Sequence, residues 1–270
     1  MSEHVSYDVH EGLAVIRLKR PEALNALTYQ MIEAVRTHTR EAEADETVTA
    51  IAITGEGRAF CAGIDLSLLE KDAGRGEVNR GGAKPDPNES PALFSNLLRV
   101  SKPVFGAVNG VSAGGGFVLA MMCDMRFVSE DASFTTVFSK RGLIAEHGMS
   151  WLVPRQIGIS RALDLLWSSR KVGAEEAMRL GLADRVVPAD QLIEAVAAYT
   201  QELRENVSPR ALAVIKEQVY AHLSQPYLPA AQECDRLMVE ALRHPDALEG
   251  AKSFMERRPP RFAPWRGRDK

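Results

Sequence analysis

Cysteine is scarce in this chain: Cys61, Cys123 and Cys234 are the only three in 270 residues, widely spaced, with no CxxC pair and no histidine at metal-ligand spacing. A disulfide framework and a cysteine-ligated metal site are therefore not expected, and a reduced, cytoplasmic protein is. Positive charge is not in excess either. Lys and Arg number 33 against 36 Asp and Glu, a net charge of −3, so there is no broad basic footprint for nucleic acid. The Arg-rich end from Arg257 to Arg268 is the one local exception. Long apolar runs are missing too: the most apolar window, Val111 to Cys123, is short and holds three glycines, so neither a membrane span nor a membrane partner is expected. The opening MSEHVSYDVHEG has no positive region followed by an apolar core, and a signal peptide is not expected. There is no GxxxxGK[ST] loop, no GxGxxG in a strand–turn–helix setting, and no repeat or heptad pattern.

What is present reads as an α/β body with a helical tail. Val5 to His10 and Leu13 to Lys19 alternate as two strands, joined at Glu11-Gly12 and ended by Pro21. Met31, Ile32, Val35 and Ala42 predict a helix over Thr28 to Asp45, with Thr28 as its N-cap. Val48 to Thr54 is a β-branched strand stopped by Gly55 and Gly57, and Arg58 to Leu69 is a turn leading into a short helical or irregular piece. Lys71 to Ser90, crowded with Gly, Pro, Asn and charge, predicts a loop that rims a pocket or is a plain insertion. Pro91 opens a helix to Ser101; Met125 to Val128 and Ser133 to Thr136 are short strands. Helices are predicted late in Gly142 to Gly158, over Ser160 to Ser169 and over Ala174 to Gly181, with a strand at Arg185 to Val187. From Asp190 the pattern is helical: Asp190 to Glu205, Pro209 to His222, and one long stretch from Pro229 to Arg257. The expected division is residues 1–190 as the α/β core and 191–270 as the helical region.

The chemistry gathers at Lys102 to Asp124, KPVFGAVNGVSAGGGFVLAMMCD, an apolar strand, a glycine-rich turn and the start of a helix. Gly114, Gly115 and Gly116 permit positive φ and close approach of the backbone. The leading N–H groups of a helix have no intrahelical partner, so such a turn suits an oxygen that gains negative charge. Two chemistries compete there: an oxyanion hole, or a nucleophile elbow on Gly110-Val111-Ser112-Ala113-Gly114, which reads GxSxG. The elbow needs a base, for which His147, His222 and His244 are available, with Asp124 and Glu146 among the acids. A second glycine turn, Cys61-Ala62-Gly63-Ile64-Asp65, also leads into a helical piece. Parallel strands would bring both turns to one edge, where the N–H groups of Ile64 and Gly115 make a two-donor hole. The plain alternative is that both turns are packing corners.

Glu146 is the strongest acid/base candidate. Leu143, Ile144, Ala145 and Trp151 surround it in sequence, and an apolar setting raises a carboxyl pKa toward neutrality. The competing reading pairs it with Arg141 or Arg155 as a structural ion pair. Cys61 reads as an unreactive turn cysteine rather than a nucleophile, and Met121, Met122 and Cys123 as core filling.

AFCAGIDL at Ala59 to Leu66, KPVFGAVNGVSAGGG at Lys102 to Gly116, LAMMCD at Leu119 to Asp124 and GLADRVVP at Gly181 to Pro188 resemble the enoyl-CoA hydratase/isomerase (crotonase) superfamily. The likeness runs from LKRPEALNAL at Leu18 to Leu27 through SFMERRPPRF at Ser253 to Phe262, and it turns the GxSxG match into a coincidence. The resemblance implies a spiral of ββα units with a C-terminal helical region that builds a homotrimer, often paired into a hexamer. It implies a thioester enolate held by the N–H groups of Ile64 and Gly115, and a substrate carried as a coenzyme A thioester, with no tightly bound cofactor and no metal. It places coenzyme A near Ala23, Leu24, Ala62, Asp65 and Leu66, with Phe254 and Arg258 approaching from a neighbouring subunit.

The departures from the family pattern direct the functional reading. Its hydratases place one glutamate two residues after the glycine triplet and a second twenty residues later; here those positions are Val118 and Phe138. Neither side chain accepts a proton or hydrogen-bonds a water. Glu146 falls where dienoyl-CoA isomerases carry a catalytic aspartate and where 4-chlorobenzoyl-CoA dehalogenases carry their nucleophile. A single carboxylate above an enolate can move a proton between two carbons, so double-bond isomerisation by Glu146 leads the reading. The alternatives are an atypical enoyl-CoA hydratase, a dehalogenase- or hydrolase-like acyl-CoA enzyme, and a non-catalytic acyl-CoA binder.

Overall fold

The computed structural model describes residues 3–65, 67–68, 70 and 92–265. The loop expected at Lys71 to Ser90, the helix start at Pro91 and the candidate Leu66 lie outside the described residues. Strands β1 (Val5–His10) and β2 (Leu13–Leu18) form the expected antiparallel hairpin, with Glu11 and Gly12 both at positive φ, as a two-residue turn matched to strand twist requires. Helix α1 (Tyr29–Ala44) follows, and the Thr28 hydroxyl accepts the Met31 N–H at its N-terminus.

The next strands come in pairs. β3 (Ala50–Gly55) precedes β4 (Ala59–Cys61), β5 (Val104–Val108) precedes β6 (Val111–Ala113), and β7 (Met125–Ser129) precedes β8 (Ser133–Thr135). The first member of each pair joins one sheet and the second member joins another. With β9 (Val172–Gly173) and β10 (Arg185–Val187), the orders are β1-β2-β3-β5-β7-β10 and β4-β6-β8-β9. Apart from β1/β2 and β8/β9, neighbours run parallel. All residues of β3 and β5 are buried, as parallel strands covered on both faces require.

The separate strands β4 and β6 correct the sequence reading, which has irregular chain at the first and one strand before the glycine triplet. The break is made by glycines where the two sheets come close. A β carbon on Gly55 would lie 2.3 Å from the Ala59 oxygen, and one on Gly110 would lie 2.2 Å from the Arg58 oxygen. No side chain fits at either corner.

Helix α2 (Gly115–Met121) starts at the triplet, followed by α3 (Met149–Ile157), α4 (Ile159–Ser168) and α5 (Ala174–Leu180). The helix expected from Pro91 to Ser101 is instead a 3-10 turn over Ser95–Arg99, preceded by buried Phe94 at φ 60, a conformation through which a right-handed helix cannot run. The tail contains α6 (Leu192–Asn206), α7 (Pro209–His222), α8 (Tyr227–Arg243) and α9 (Pro245–Met255). The single long helix predicted from Pro229 to Arg257 is thus two. Pro245 removes an N–H and holds His244 extended, at φ −78 and ψ 142.

The tail is not wholly detached from the body. In α6, Leu192 and Val196 are buried and Tyr199 packs on Phe105 and Phe127 of the first sheet. From α7, buried Lys216 donates to the Leu97 and Lys102 carbonyls and pairs with Asp124 at 2.7 Å, while the Tyr220 hydroxyl reaches the other Asp124 oxygen at 2.8 Å. No helix among the described residues is long and apolar enough to cross a membrane.

Candidate active site

Parallel pairing of β4 with β6, Ala59 opposite Val111 and Cys61 opposite Ser112, delivers both glycine turns to the same edge of the second sheet. Gly63 at φ 104 and Gly114 at φ 52 take backbone conformations that side-chain-bearing residues rarely adopt. The turns touch. A β carbon on Gly63 would sit 2.9 Å from the Ala113 oxygen and 3.3 Å from the Gly115 nitrogen; one on Gly116 would sit 2.0 Å from the Cys61 oxygen. Substituents at those positions would force the turns apart.

The same contact brings the Ile64 and Gly115 nitrogens together. A β carbon built on Gly115 lies 3.4 Å from the Ile64 nitrogen. Ile64 bridges to Leu27, but the bonds run on either side of it: Leu27 N–H donates to the Gly63 oxygen at 2.7 Å, and Asp65 N–H donates to the Leu27 oxygen at 3.0 Å. The Ile64 N–H is left without an acceptor among the described residues. Gly115, first in α2, is in the same condition. Two unspent donors side by side are what a carbonyl oxygen gaining charge requires.

Ala23, Leu24, Ala62 and Asp65 fall on one strip beside the first glycine turn. Ala62 N–H donates to the Leu24 oxygen at 2.9 Å, with Leu24 at φ 52. Asp65 accepts from the Ser67 amide and hydroxyl and pairs with Arg20 at 3.2 Å; the Ser67 bonds first, then Arg20, hold its carboxyl below the usual range. Two asparagines not singled out from the sequence brace this region. Buried Asn25 donates to the Glu56 and Ala59 carbonyls, and Asn109 accepts the Gly55 N–H at 3.0 Å while donating to the Gly57 carbonyl at 2.9 Å. Their place in LNAL, between β2 and α1, and in VNG, between β5 and β6, was the available signal. Phe254 and Arg258 are elsewhere: Phe254 is exposed on α9, and Arg258 is held by Glu249 and Glu256. Among the described residues, no hydrogen bond or ion pair joins either to the glycine turns.

Glu146 lies in the stretch between the 3-10 turn Ser139–Arg141 and α3, flanked by left-handed Gly142, His147 and Gly148. It is half-buried, desolvation raises its pKa, and its carboxylate has no hydrogen bond or ion pair among the described residues. The pairing with Arg141 or Arg155 is therefore not found. Arg155 instead donates to the Trp151 carbonyl and stacks on the Trp151 ring at 4.2 Å. The loop is linked to the glycine turn by contact. Leu143 N–H donates to the Phe138 oxygen at 2.9 Å, and Val137, at φ 53, places Cγ2 3.1 Å from where a Gly114 β carbon would be. Val118 and Phe138 are buried hydrocarbon. A cavity of about 880 Å³ adjoins the Glu146 loop, between Leu143, Ile144 and Ala145 and the Leu163, Leu166 and Trp167 side of α4. Ile64 and Gly115 do not line it, so it is not the vestibule of the donor pair.

Ser112 is not on an elbow. It sits inside β6, opposite Cys61 and Phe134, fully buried, and among the described residues its hydroxyl has no partner and no histidine is bonded to it. Burial pushes the Cys61 thiol up to about 12, which leaves it protonated and unreactive. Among the described residues, no group of three His, Cys, Asp or Glu side chains could hold a metal ion.

Comparison with known proteins bears on the family and the fold. The sequence model of the enoyl-CoA hydratase/isomerase family matches residues 8–265. A probable enoyl-CoA hydratase of Rhodobacter capsulatus is 36% identical over 264 residues, spanning 97% of this chain and 99% of its own. The 1,2-epoxyphenylacetyl-CoA isomerase of Escherichia coli is 32% identical over 273 residues, spanning 97% and 99%. The crystal structure of an enoyl-CoA hydratase subunit I from Geobacillus kaustophilus superposes with a TM-score of 0.86 at 32% identity, covering 96% of this chain and 97% of that one.

Proposed function

Because the chain belongs to the enoyl-CoA hydratase/isomerase family, we propose that it shifts the double bond of an unsaturated acyl-CoA thioester, with Glu146 as the acid/base. The observation that carries this reading is a half-buried carboxylate with no hydrogen bond or ion pair among the described residues, in a chain whose positions 118 and 138 hold buried hydrocarbon. Ionised Glu146 removes a proton from one carbon of the acyl chain. The electrons delocalise onto the thioester oxygen, where the Ile64 and Gly115 N–H groups stabilise the enolate. Glu146, now protonated, returns the proton to a different carbon, and no atom is gained or lost. That a relative of similar length is a named acyl-CoA isomerase supports the reading. Coenzyme A lies along Ala23, Leu24, Ala62, Asp65 and Leu66 in this proposal, with Phe254 and Arg258 contributed by a neighbouring subunit of a trimer or hexamer.

The names of other relatives favour water addition as the second reading. Deuterium exchange from D2O into a panel of enoyl-CoA esters separates the two. Isomerisation deuterates the chain and relocates the double bond without forming a hydroxyacyl product, and Glu146→Ala abolishes the exchange while ester binding survives. Undiminished turnover in that variant, or a hydroxyacyl-CoA as the sole product, would sink the proposal.

A further inference from the structure

We propose that His147 is a positioning residue for Glu146, acting by accepting the Leu93 N–H; the inference rests on the acid/base role proposed for Glu146 above. Glu146 occupies neither strand nor helix, and among the described residues one backbone bond, from the Met149 N–H to the Glu146 carbonyl at 3.0 Å, is all the main chain gives it. Its loop turns on Gly142 (φ 70), His147 (φ 53) and Gly148 (φ 79). Among the described residues, β carbons on the two glycines would meet nothing within 4 Å, so what these positions call for is the backbone conformation. Glycine would serve the backbone at 147 equally well. A histidine there, in a conformation non-glycine residues seldom adopt, is accounted for by what its side chain does.

Its Nδ1 accepts the backbone N–H of Leu93 at 3.2 Å, across 54 residues of sequence. Because the amide is the donor, Nδ1 carries the lone pair and the neutral ring bears its proton on Nε2. Leu93 and Phe94 are buried members of the main core, and Phe94 is itself left-handed. The bond therefore ties the residue next to Glu146 to a fixed point of the core. Rotation of the 146–147 peptide, which would swing the carboxylate, breaks it. Displacement of a reacting group by about 1 Å costs on the order of a hundredfold in rate, so one such tie is enough to matter.

Two variants separate positioning from simple structural support. His147→Gly keeps the left-handed backbone and deletes the acceptor. His147→Asn tolerates the same backbone and offers Oδ1 close to where Nδ1 was. With an enoyl-CoA ester that exchanges deuterium, His147→Gly is expected to lose about tenfold or more in kcat, with KM within about twofold, and His147→Asn to regain most of it. The Leu93 amide, followed by hydrogen exchange on the unliganded protein, should exchange faster in His147→Gly and recover protection in His147→Asn. An unchanged kcat in His147→Gly, a loss confined to KM, or no rescue by Asn in a folded protein would overturn the proposal. So would a Leu93 amide indifferent to the substitution. Absence of Glu146-dependent exchange in the unaltered protein would instead overturn the isomerase reading, and the amide measurement would still report on the bond itself.

Discussion

Desolvation acts on Glu146 in two ways. Burial destabilises the anion, which raises the pKa and makes the carboxylate a better base. A carboxyl whose folded pKa is raised stabilises the fold below its unfolded value and loses that contribution as pH rises through the folded value. At neutral pH the ionised group is thus a cost to folding. Glu146→Gln is expected to abolish proton exchange yet raise the thermal midpoint at pH 7, with the gain vanishing at pH 4; a midpoint lowered at pH 7 would contradict this. In the unaltered protein, exchange should fall as pH is lowered through a value above the ordinary glutamate pKa. Ser112 is the opposite case, a buried hydroxyl with no partner among the described residues. Its replacement by Ala should leave turnover intact and be neutral or stabilising by up to about 1 kcal/mol in a denaturant titration, since an unsatisfied polar group is removed. Glu146 was legible because an acid amid apolar neighbours is a pattern in one dimension. The His147 to Leu93 bond was not, because its partner is a backbone amide and carries no residue-type signature.

At the scale of elements, the three glycines of the triplet have separate duties. Gly114 supplies the left-handed turn, Gly116 leaves room for the Cys61 carbonyl, and Gly115 has ordinary space around it. Gly116→Ala should therefore destabilise the protein by roughly 1–3 kcal/mol or prevent folding, since a carbon 2.0 Å from backbone oxygen must displace a strand. Gly115→Ala should fold with nearly unchanged stability, but it sets a methyl beside the Ile64 N–H, where the substrate oxygen would bind. A fall in kcat of about a hundredfold with little change in thermal midpoint is expected. Equal stability losses in both variants would refute the division. Helices and the long strands were readable from periodicity. β4 and β6 were not, because three residues are too few to show a period, and only the corner glycines at 55 and 110 hinted at them. The residue that stops a helix before Ser95, left-handed Phe94, has no sequence mark at all.

At the scale of the molecule, the tail has one face attached and one face bare. Lys216, Asp124 and Tyr220 lock α7 to the body; burial lowers the Lys216 pKa, opposed mainly by Asp124. Beyond α7, Leu228, Met238, Leu242, Leu248 and Met255 are all more than half exposed. Burying a side chain of this kind is worth about 1.5–3 kcal/mol, so the proposed association of copies would use α8 and α9 to cover them. Sedimentation equilibrium should report a trimer or a multiple of it, and Leu242→Glu with Leu248→Glu should shift the population toward monomer; a protein monomeric at micromolar concentration would refute this. The α/β body and helical tail could be anticipated from composition and spacing. How far each tail helix lies against the body could not, since the same apolar stripe serves a core or a partner.

The donor pair at Ile64 and Gly115 is made of main chain, and only proline can delete a main-chain N–H. The side chains at 118, 138 and 146 have no such protection. Substitution at those three positions can therefore change the number of carboxylates from one to two or to none while leaving both N–H groups, the oxyanion donors of the proposed mechanism, in place.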